Sequence, residues 1–391
     1  MRLQEAGFIA YLVGGSVRDL LMDKTPKDFD LSTSARPEQI KKLFRNCILI
    51  GRRFPLAHVR FGKKIIEVAT FRAGDNNDSG LILHDAIWGT PEQDVLRRDF
   101  TVNGLFYDPS SKTVIDYVGG CDDIIKRRLH TIGDPKVRFK QDPVRMIRLS
   151  KFHARLGFEI ERATNEALIE CREEILKSSS ARILEQIFTM LESGAAEPFF
   201  RHMQECGLLG LLFPRLAECL AEDIGEQIYG CLRAADSLIQ QGHRPALSRD
   251  VLASCLLYPI LDKKIQELLK KEGTKPAHVG DIFTMAYDVV QEIMTEAFSH
   301  FPRRMRSAIA YILGTQYRLI PTGGRAPRRA RFVRQREFSL ALQFFEIRTV
   351  LDEHLRPLYH TWKDLASEQK KLRRSKDDEG NGEPEESSFS E

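Results

Sequence analysis

The chain has 391 residues, more than one compact core accommodates, so two to four packed units are expected. Hydrophobic residues make up 42% and charged residues 29%, with a net charge of +4; this permits a nucleic-acid partner without demanding one. Seven cysteines lie scattered with no Cys-x-x-Cys spacing, which argues against a disulfide frame or a zinc knuckle. No apolar run approaches the ~20 residues of a membrane helix, and the start "MRLQEAGF" lacks the apolar stretch of a signal peptide. A soluble cytoplasmic protein is the expectation.

Residues 1 to about 118 read as strand-rich. "AYLVG" is a short strand ending at Gly14-Gly15, and "SVRDLLM" a brief helix stopped by "DKTPKD". "FDLST" is a strand, "RPEQIKKLFRN" a helix from Pro37, and "CILIG" a strand. "LAHVRFGKKIIEVATFR" is a hairpin about Phe61 to Lys64; "NNDSG" is a loop and "TVIDYVGG" a last strand and turn. From about residue 136 to 365 the periodicity is helical, without a fixed repeat. "PTGGRAPRRARFVRQREF" interrupts the helices, and the acidic end "SKDDEGNGEPEESSFSE" reads as disordered. The fold class is α+β: a small mixed-sheet head followed by an extended helical body.

Several short stretches carry chemistry. Gly14-Gly15 between strand and helix lets backbone N–H groups approach a phosphate; the plain alternative is a tight turn. Asp28 and Asp30 stand two apart, and on a strand such residues face one side. Two bare carboxylates repel unless a cation lies between them, and oxygen ligands suit Mg²⁺. Such a pair can hold two ions ~3.5–4 Å apart, one activating a hydroxyl and one bridging triphosphate oxygens. The alternative is a solvated strand end. Glu67 shares a face with Ile65 and Ala69; it is either a third carboxylate or a surface glutamate on an edge strand.

"RRDFTVNGLFYD" groups Arg97, Arg98, Asp99 and Asn103. The arginines suit a triphosphate, the acid and amide a ribose or a metal-bound water; locally the stretch also reads as a charged loop-to-helix join. Asp142, Arg145 and Arg148 follow a helical spacing, broadly along one side. They could present hydrogen-bonding edges to a base, or form a surface ion pair worth under ~1 kcal/mol. His84-Asp85 falls in a loop without further metal ligands in suitable context and is discounted. Arg325, Arg328, Arg329, Arg331, Arg334 and Arg336, with Phe332 among them, favour RNA or DNA contact. "RRFPLAHVRF" and "FPRRMR" are smaller patches of the same kind, and the acidic tail is placed to compete for the arginine-rich run.

Taken in order, "LVGGSVRDLL…PKDFDLST", "IIEVATFR", "RRDFTVNGLFYD", "DPVRMIRLSKFHARLGF" and "ARILEQIFTML" resemble the motifs of class II nucleotidyltransferases. These are the bacterial poly(A) polymerases and CCA-adding enzymes, a branch of the DNA polymerase β-like superfamily. The match is specific over residues 11–195 and looser to about 350. It implies a catalytic head (1–120), a neck that reads the base (121–195), a helical body (196–320), an arginine-rich RNA-binding region (321–370) and a disordered tail (371–391). It implies two Mg²⁺ ions on Asp28 and Asp30, ATP as substrate, phosphate contacts from Gly14, Gly15, Arg18 and Arg98, and base recognition by Asp142 and Arg145. It leaves open whether Glu67 or Asp99 is the more important acidic partner.

"LIGRRFPLAHVRF" and the arginine-rich segment resemble the poly(A) branch, which implies AMP addition to RNA 3′ ends by a monomer away from membranes. A CCA-adding enzyme and a non-catalytic RNA-binding protein on the same fold are the alternatives. Three departures stand out. Gln141 replaces a usual Glu, Lys151 replaces a usual Arg, and the branch's N-terminal extension is nearly absent, which points to a start upstream of Met1.

Overall fold

The computed structural model describes residues 1–26, 28–51, 55–62, 64–73, 88–243, 245–272, 278–320, 332–335 and 337–380; for 271–272 and 372–380 it describes the backbone alone. The chain divides into two units, Met1–Ser179 with Glu205–Leu208, and Ser180–Gln204 with Leu209–Glu391.

The first unit is built on a sheet whose described strands are β1 (Ala10–Val13), β2 (Asp30–Thr33), β3 (Cys47–Ile50), β4 (Leu56–Phe61), β5 (Lys64–Thr70), β6 (Leu105–Asp108) and β7 (Thr113–Asp116). Their order is β3-β4-β5-β2-β1-β6-β7, and β2 runs parallel to β5 while the other pairs are antiparallel. Helices α1 (Arg2–Glu5), α2 (Gly15–Leu21) and α3 (Pro37–Leu43) interleave with them. Alternation sends Leu31 and Val68 to one face, where they pack with Leu3, Ala35, Ile40 and Val59. Val13 and Phe106 go to the other, under Val95 and Ile132.

Local chemistry explains the joins. Pro37 opens α3 and Gln39 accepts the Arg36 N–H. Helix α4 (Pro91–Leu96) begins at Thr90, whose hydroxyl accepts from the Gln93 N–H at 3.4 Å. Asp116 ends β7 by accepting the N–H groups of Val118, Gly119, Gly120 and Cys121, which starts α5 (Gly120–Ile125). "RRDFTVNGLFYD" is not a loop-to-helix join: it turns through a short 3₁₀ segment, Thr101–Asn103, into strand β6. Phe100 faces Thr131 across an isolated bridge, and these cross-links draw the segment away from a helix. Two helices follow, α6 (Pro135–Gln141) and α7 (Val144–Leu156), broken at Asp142-Pro143 because proline cannot continue the first.

Among the described residues, every secondary-structure element of the second unit is a helix. One of its cores gathers Leu319, Phe338, Phe345, Tyr359 and Trp362. Phe332, expected to interleave with the arginines at a nucleic-acid surface, is instead 2% exposed in this core, with the Arg318 guanidinium 4.0 Å above its ring. The last helix, Arg356–Gly380, carries helical backbone into the segment expected to be disordered from residue 371; residues 381–391 lie outside the described ones. Among the described residues no helix is long and apolar enough to cross a membrane.

Candidate active site

The parallel pairing of β2 and β5 sets Asp30 beside Glu67, and the antiparallel pairing with β1 sets it beside Val13. Strand β5 is interior to the sheet, so Glu67 is not an edge-strand residue. Glu67 has a partner that the sequence pattern did not mark: His58 faces it from β4, with Nε2 3.3 Å from Oε1. Asp28 precedes the strand, which begins at Asp30, so the pair is a loop residue and a strand residue, not two on one strand. Asp28 still lies close enough to act on Asp30, whose carboxyl pKa is raised. Desolvation raises it most, then Glu67 and Asp28, while Arg98 works the other way. The residue as a whole is exposed, but its carboxylate is crowded by protein on the sheet side. Among the described residues no three His, Cys, Asp or Glu side chains are grouped to hold a metal by themselves.

Gly14 caps α2 with φ +70 and ψ −132, a conformation that strains any side chain. A Cβ there would also sit 3.5 Å from Nη1 of Arg98. Arg98 is held in place. Its Nη2 meets Oδ2 of Asp94 at 2.8 Å and donates to the Ser32 hydroxyl at 3.1 Å, and its guanidinium lies 5.2 Å from the Phe106 ring centre. Asp94, absent from the sequence reading, is 1% exposed and also binds Arg97, at 2.8 Å. Burial alone would raise its pKa, but Arg98 and Arg97 outweigh that and lower it. The signal was present: Asp94, Arg97 and Arg98 stand at i, i+3 and i+4 from a helix.

Asp99 plays a different part from Asp28 and Asp30. It is 6% exposed, and its carboxylate accepts the Phe100 N–H at 2.8 Å and the Asn103 amide at 3.2 Å, while Arg148 Nη2 lies 2.6 Å from Oδ2. Burial pushes its pKa up; Arg148, the Phe100 N–H, Asn103 and Arg145 together pull it below the ordinary value. Asn103 passes the connection on by accepting a hydrogen bond from buried Arg18, which also binds Asp19. Arg18, Asn103, Asp99 and Arg148 thus form one chain of contacts from α2 to α7.

On α7, Arg145 is buried and donates from Nη2 to the Arg97 carbonyl at 2.8 Å. Its buried Nη1 makes no hydrogen bond among the described residues. Asp142 belongs not to α7 but to the end of α6, so Asp142, Arg145 and Arg148 are not three turns of one helix. Gln141 accepts from Arg138 at 3.0 Å, and Arg138 in turn donates to the Leu96 and Arg98 carbonyls. Lys151 is partly buried; desolvation first, then Arg148 and Arg155, push its pKa down to about 8. Of the arginine-rich run, Arg325, Arg328, Arg329, Arg331 and Arg336 lie outside the described residues, as do His84 and Asp85. Arg334 donates to Gln369 at 2.9 Å.

Three family models match in chain order. "Poly A polymerase head domain" covers residues 10–130, "Probable RNA and SrmB-binding site of polymerase A" 157–220, and "Polymerase A arginine-rich C-terminus" 277–388. Poly(A) polymerase I of Haemophilus influenzae is 38% identical over 345 residues, 84% of this chain and 75% of that protein. The Salmonella typhimurium enzyme of that name is 34% identical over 97% of this chain and 84% of its own. The chain belongs to the bacterial poly(A) polymerase family. The poly(A) polymerases are nucleotidyltransferases related to the CCA-adding enzymes. A CCA-adding enzyme of Lactobacillus helveticus is 38% identical over 48% of this chain and 47% of its own. A Bacillus stearothermophilus CCA-adding enzyme in complex with CTP shares the fold, with a TM-score of 0.51 at 22% identity over 97% of this chain and 96% of that one.

Proposed function

We infer that this chain is a template-independent polymerase that adds AMP from ATP to RNA 3′ ends and releases pyrophosphate. Kinship over most of the length of poly(A) polymerase I carries the reading. The site supports it. Gly14 and Gly15 form the turn after β1, beside the Val13–Asp30 pair, with Arg98 and Arg18 next to them and Arg98 oriented by Asp94, and the group suits a triphosphate. Asp99 and Asn103 then position Arg18 and Arg148 and do not themselves meet the reacting atoms. Arg145, with a buried nitrogen free of hydrogen bonds among the described residues, suits the edge of the incoming base, with Asp142 beside it in the chain.

The family implies two Mg²⁺ ions, and the donor chemistry fits. Glu67 and Asp28 add negative charge beside Asp30, on top of the burial that raises its carboxyl pKa most, with Arg98 opposing both. Mg²⁺ is held through one or two carboxylates together with substrate phosphates, which suits Asp28 and Asp30, with Glu67 the further acid beside them. Bound there, Mg²⁺ supplies charge neutralisation on the phosphates and a lowered pKa for the attacking hydroxyl. In the reaction the RNA 3′ oxygen bonds to the α-phosphorus, the bond from that phosphorus to the bridging oxygen breaks, and the hydroxyl proton passes to solvent. The arginines of residues 325–336 serve RNA binding in this reading, and the protein acts as a cytoplasmic monomer; its free cysteines accord with a reducing compartment.

The test is direct. Purified protein receives Mg²⁺, one nucleoside triphosphate at a time, and either an oligo-RNA or a tRNA lacking its 3′ end. Long tails from ATP alone on both RNAs are expected. Short C, C, A addition confined to the tRNA makes it a CCA-adding enzyme, and no incorporation makes it a binding protein.

A further inference from the structure

The strand registers define one row of same-face residues across the whole sheet: Ile48, His58, Glu67, Asp30, Val13, Phe106 and Ile115. Beyond Asp30 the row is covered, for Val13 and Phe106 are buried beneath Val95 and Ile132. On the other side the described residues leave it exposed. Ile48 is 51% exposed, and its same-face neighbours Ile50 and Ile65 are 46% and 48% exposed. Ile48 and Ile50 on β3 and Ile65 on β5 flank His58 and Arg60 of β4, so the face is a mixed one of exposed isoleucines about two basic side chains. Arg60 stands opposite Ile65 at its border and is exposed.

We propose that this exposed face, formed by Ile48, Ile50 and Ile65 with His58 and Arg60, is where the RNA 3′-terminal nucleotides lie. The inference rests on the polymerase reading above. Two observations select RNA as the occupant. The face shares one cross-strand row, Ile48, His58, Glu67 and Asp30, with the candidate active site, so a chain lying along that row ends at the carboxylates. Second, the candidate triphosphate ligands, Gly14, Arg18 and Arg98, are all on the β1 side of Asp30. Displacement at the α-phosphorus needs the attacking oxygen opposite the leaving pyrophosphate. With the triphosphate on the β1 side, the RNA hydroxyl arrives over β5 and β4. Base faces are apolar enough to rest on isoleucine, and Arg60 is placed for a backbone phosphate. His58 Nε2 lies 3.3 Å from Oε1 of Glu67 on this row.

The experiment is a kinetic comparison of wild type with the double variant I48E/I65E, and with I125E as a control, since Ile125 is 79% exposed on α5 and is not one of the residues of the proposed row. The expected result is a rise of about 10-fold or more in the KM for oligo-RNA, the scale of losing base contacts. The KM for ATP and the kcat at saturating RNA stay within about 2-fold of wild type, as one lost ground-state contact predicts, and I125E changes neither. An unchanged RNA KM overturns the proposal. Because both residues are exposed the variant is expected to fold; a second measurement needs no variant. A photoreactive nucleotide at the RNA 3′ end should cross-link wild-type protein within residues 47–70, and adducts confined to other segments overturn the proposal. A wild-type dimer in solution that I48E/I65E dissociates, with RNA KM unchanged, assigns the face to a second copy instead. If wild type incorporates no nucleotide at all, the polymerase reading falls, which is distinguishable from an active enzyme indifferent to this face.

Discussion

Two sets of carboxylates stand within one unit and behave oppositely. Asp94 and Asp99 are buried and ion-paired with Arg97, Arg98 and Arg148, and their pKa values are lowered. Asp30, with Asp28 and Glu67 near it, is held at a raised pKa with Arg98 as the opposing cation. The first set is finished chemistry: its charges are spent on holding arginines in place. The second is unfinished, and its surplus negative charge is what a cation arriving with substrate would complete. The difference separates residues that organise the site from residues that act in it, although all are aspartates or glutamates.

The largest expected effect breaks the unfinished set. Asp30→Asn should lower AMP incorporation by about 10²–10³-fold or more, as loss of a charge-stabilising group does, without lowering the melting temperature. The pH dependence has a definite sign. The folded state raises the Asp30 pKa, so its charge penalises the fold once pH rises through that raised value, and the penalty vanishes below the ordinary aspartate pKa. The variant should therefore melt higher than wild type in Mg²⁺-free buffer at neutral pH and equal it in strong acid. A fall in stability at neutral pH would contradict the comparison.

Asp99→Ala should do the reverse in stability. Stranding Arg148, Asn103 and the Phe100 N–H should cost about 3 kcal/mol, the low end for a broken buried pair because Arg148 is partly exposed. The lowered Asp99 pKa gives stability that is present above the ordinary aspartate value and lost as pH falls through the folded one. Melting curves from pH 2 to 7 should show the wild-type advantage shrinking on acidification. A variant that loses activity at full stability would move Asp99 into the reacting set.

Arg145→Ala tests a narrower point. The ratio of incorporation from ATP over CTP should fall by about 10-fold, the scale of losing a hydrogen-bonding partner to the base. Unchanged discrimination would confine Arg145 to its contact with the Arg97 carbonyl. The smallest effect belongs to Lys151. Burial and its arginine neighbours lower its pKa to about 8, so its charge is a full cost to the fold below that value, and the cost shrinks above it until it vanishes past the ordinary lysine pKa. Lys151→Met should raise the melting temperature by about 2–4 °C at pH 7, with the gain shrinking as pH rises through about 8.

Much of the head was legible because its signals are local. The glycine after "AYLV", Pro37, and the alternation of "KIIEVAT" each act within a few residues, and the strands and α3 stand close to where the periodicity put them. What was illegible depended on partners distant in sequence. "LFYD" is a strand because β1 and β7 flank it, and Phe332 is a core residue because Trp362 and Phe338 enclose it. Local composition offered no view of either.

The same division applies to the site. The sequence by itself determined the inventory: a glycine turn, Asp28 and Asp30, the arginine pair, Asp99 and Arg145, in an order whose kinship is unmistakable once compared. Tertiary structure alone decided which charges are spent and which remain. Strand register brought Glu67 to Asp30 and His58 to Glu67, and the turn from α4 into β6 buried Asp94 and Asp99 against their arginines. The physical reason is that a carboxylate's character is set by its desolvation and by the charges within a few ångströms, and those are fixed by the fold.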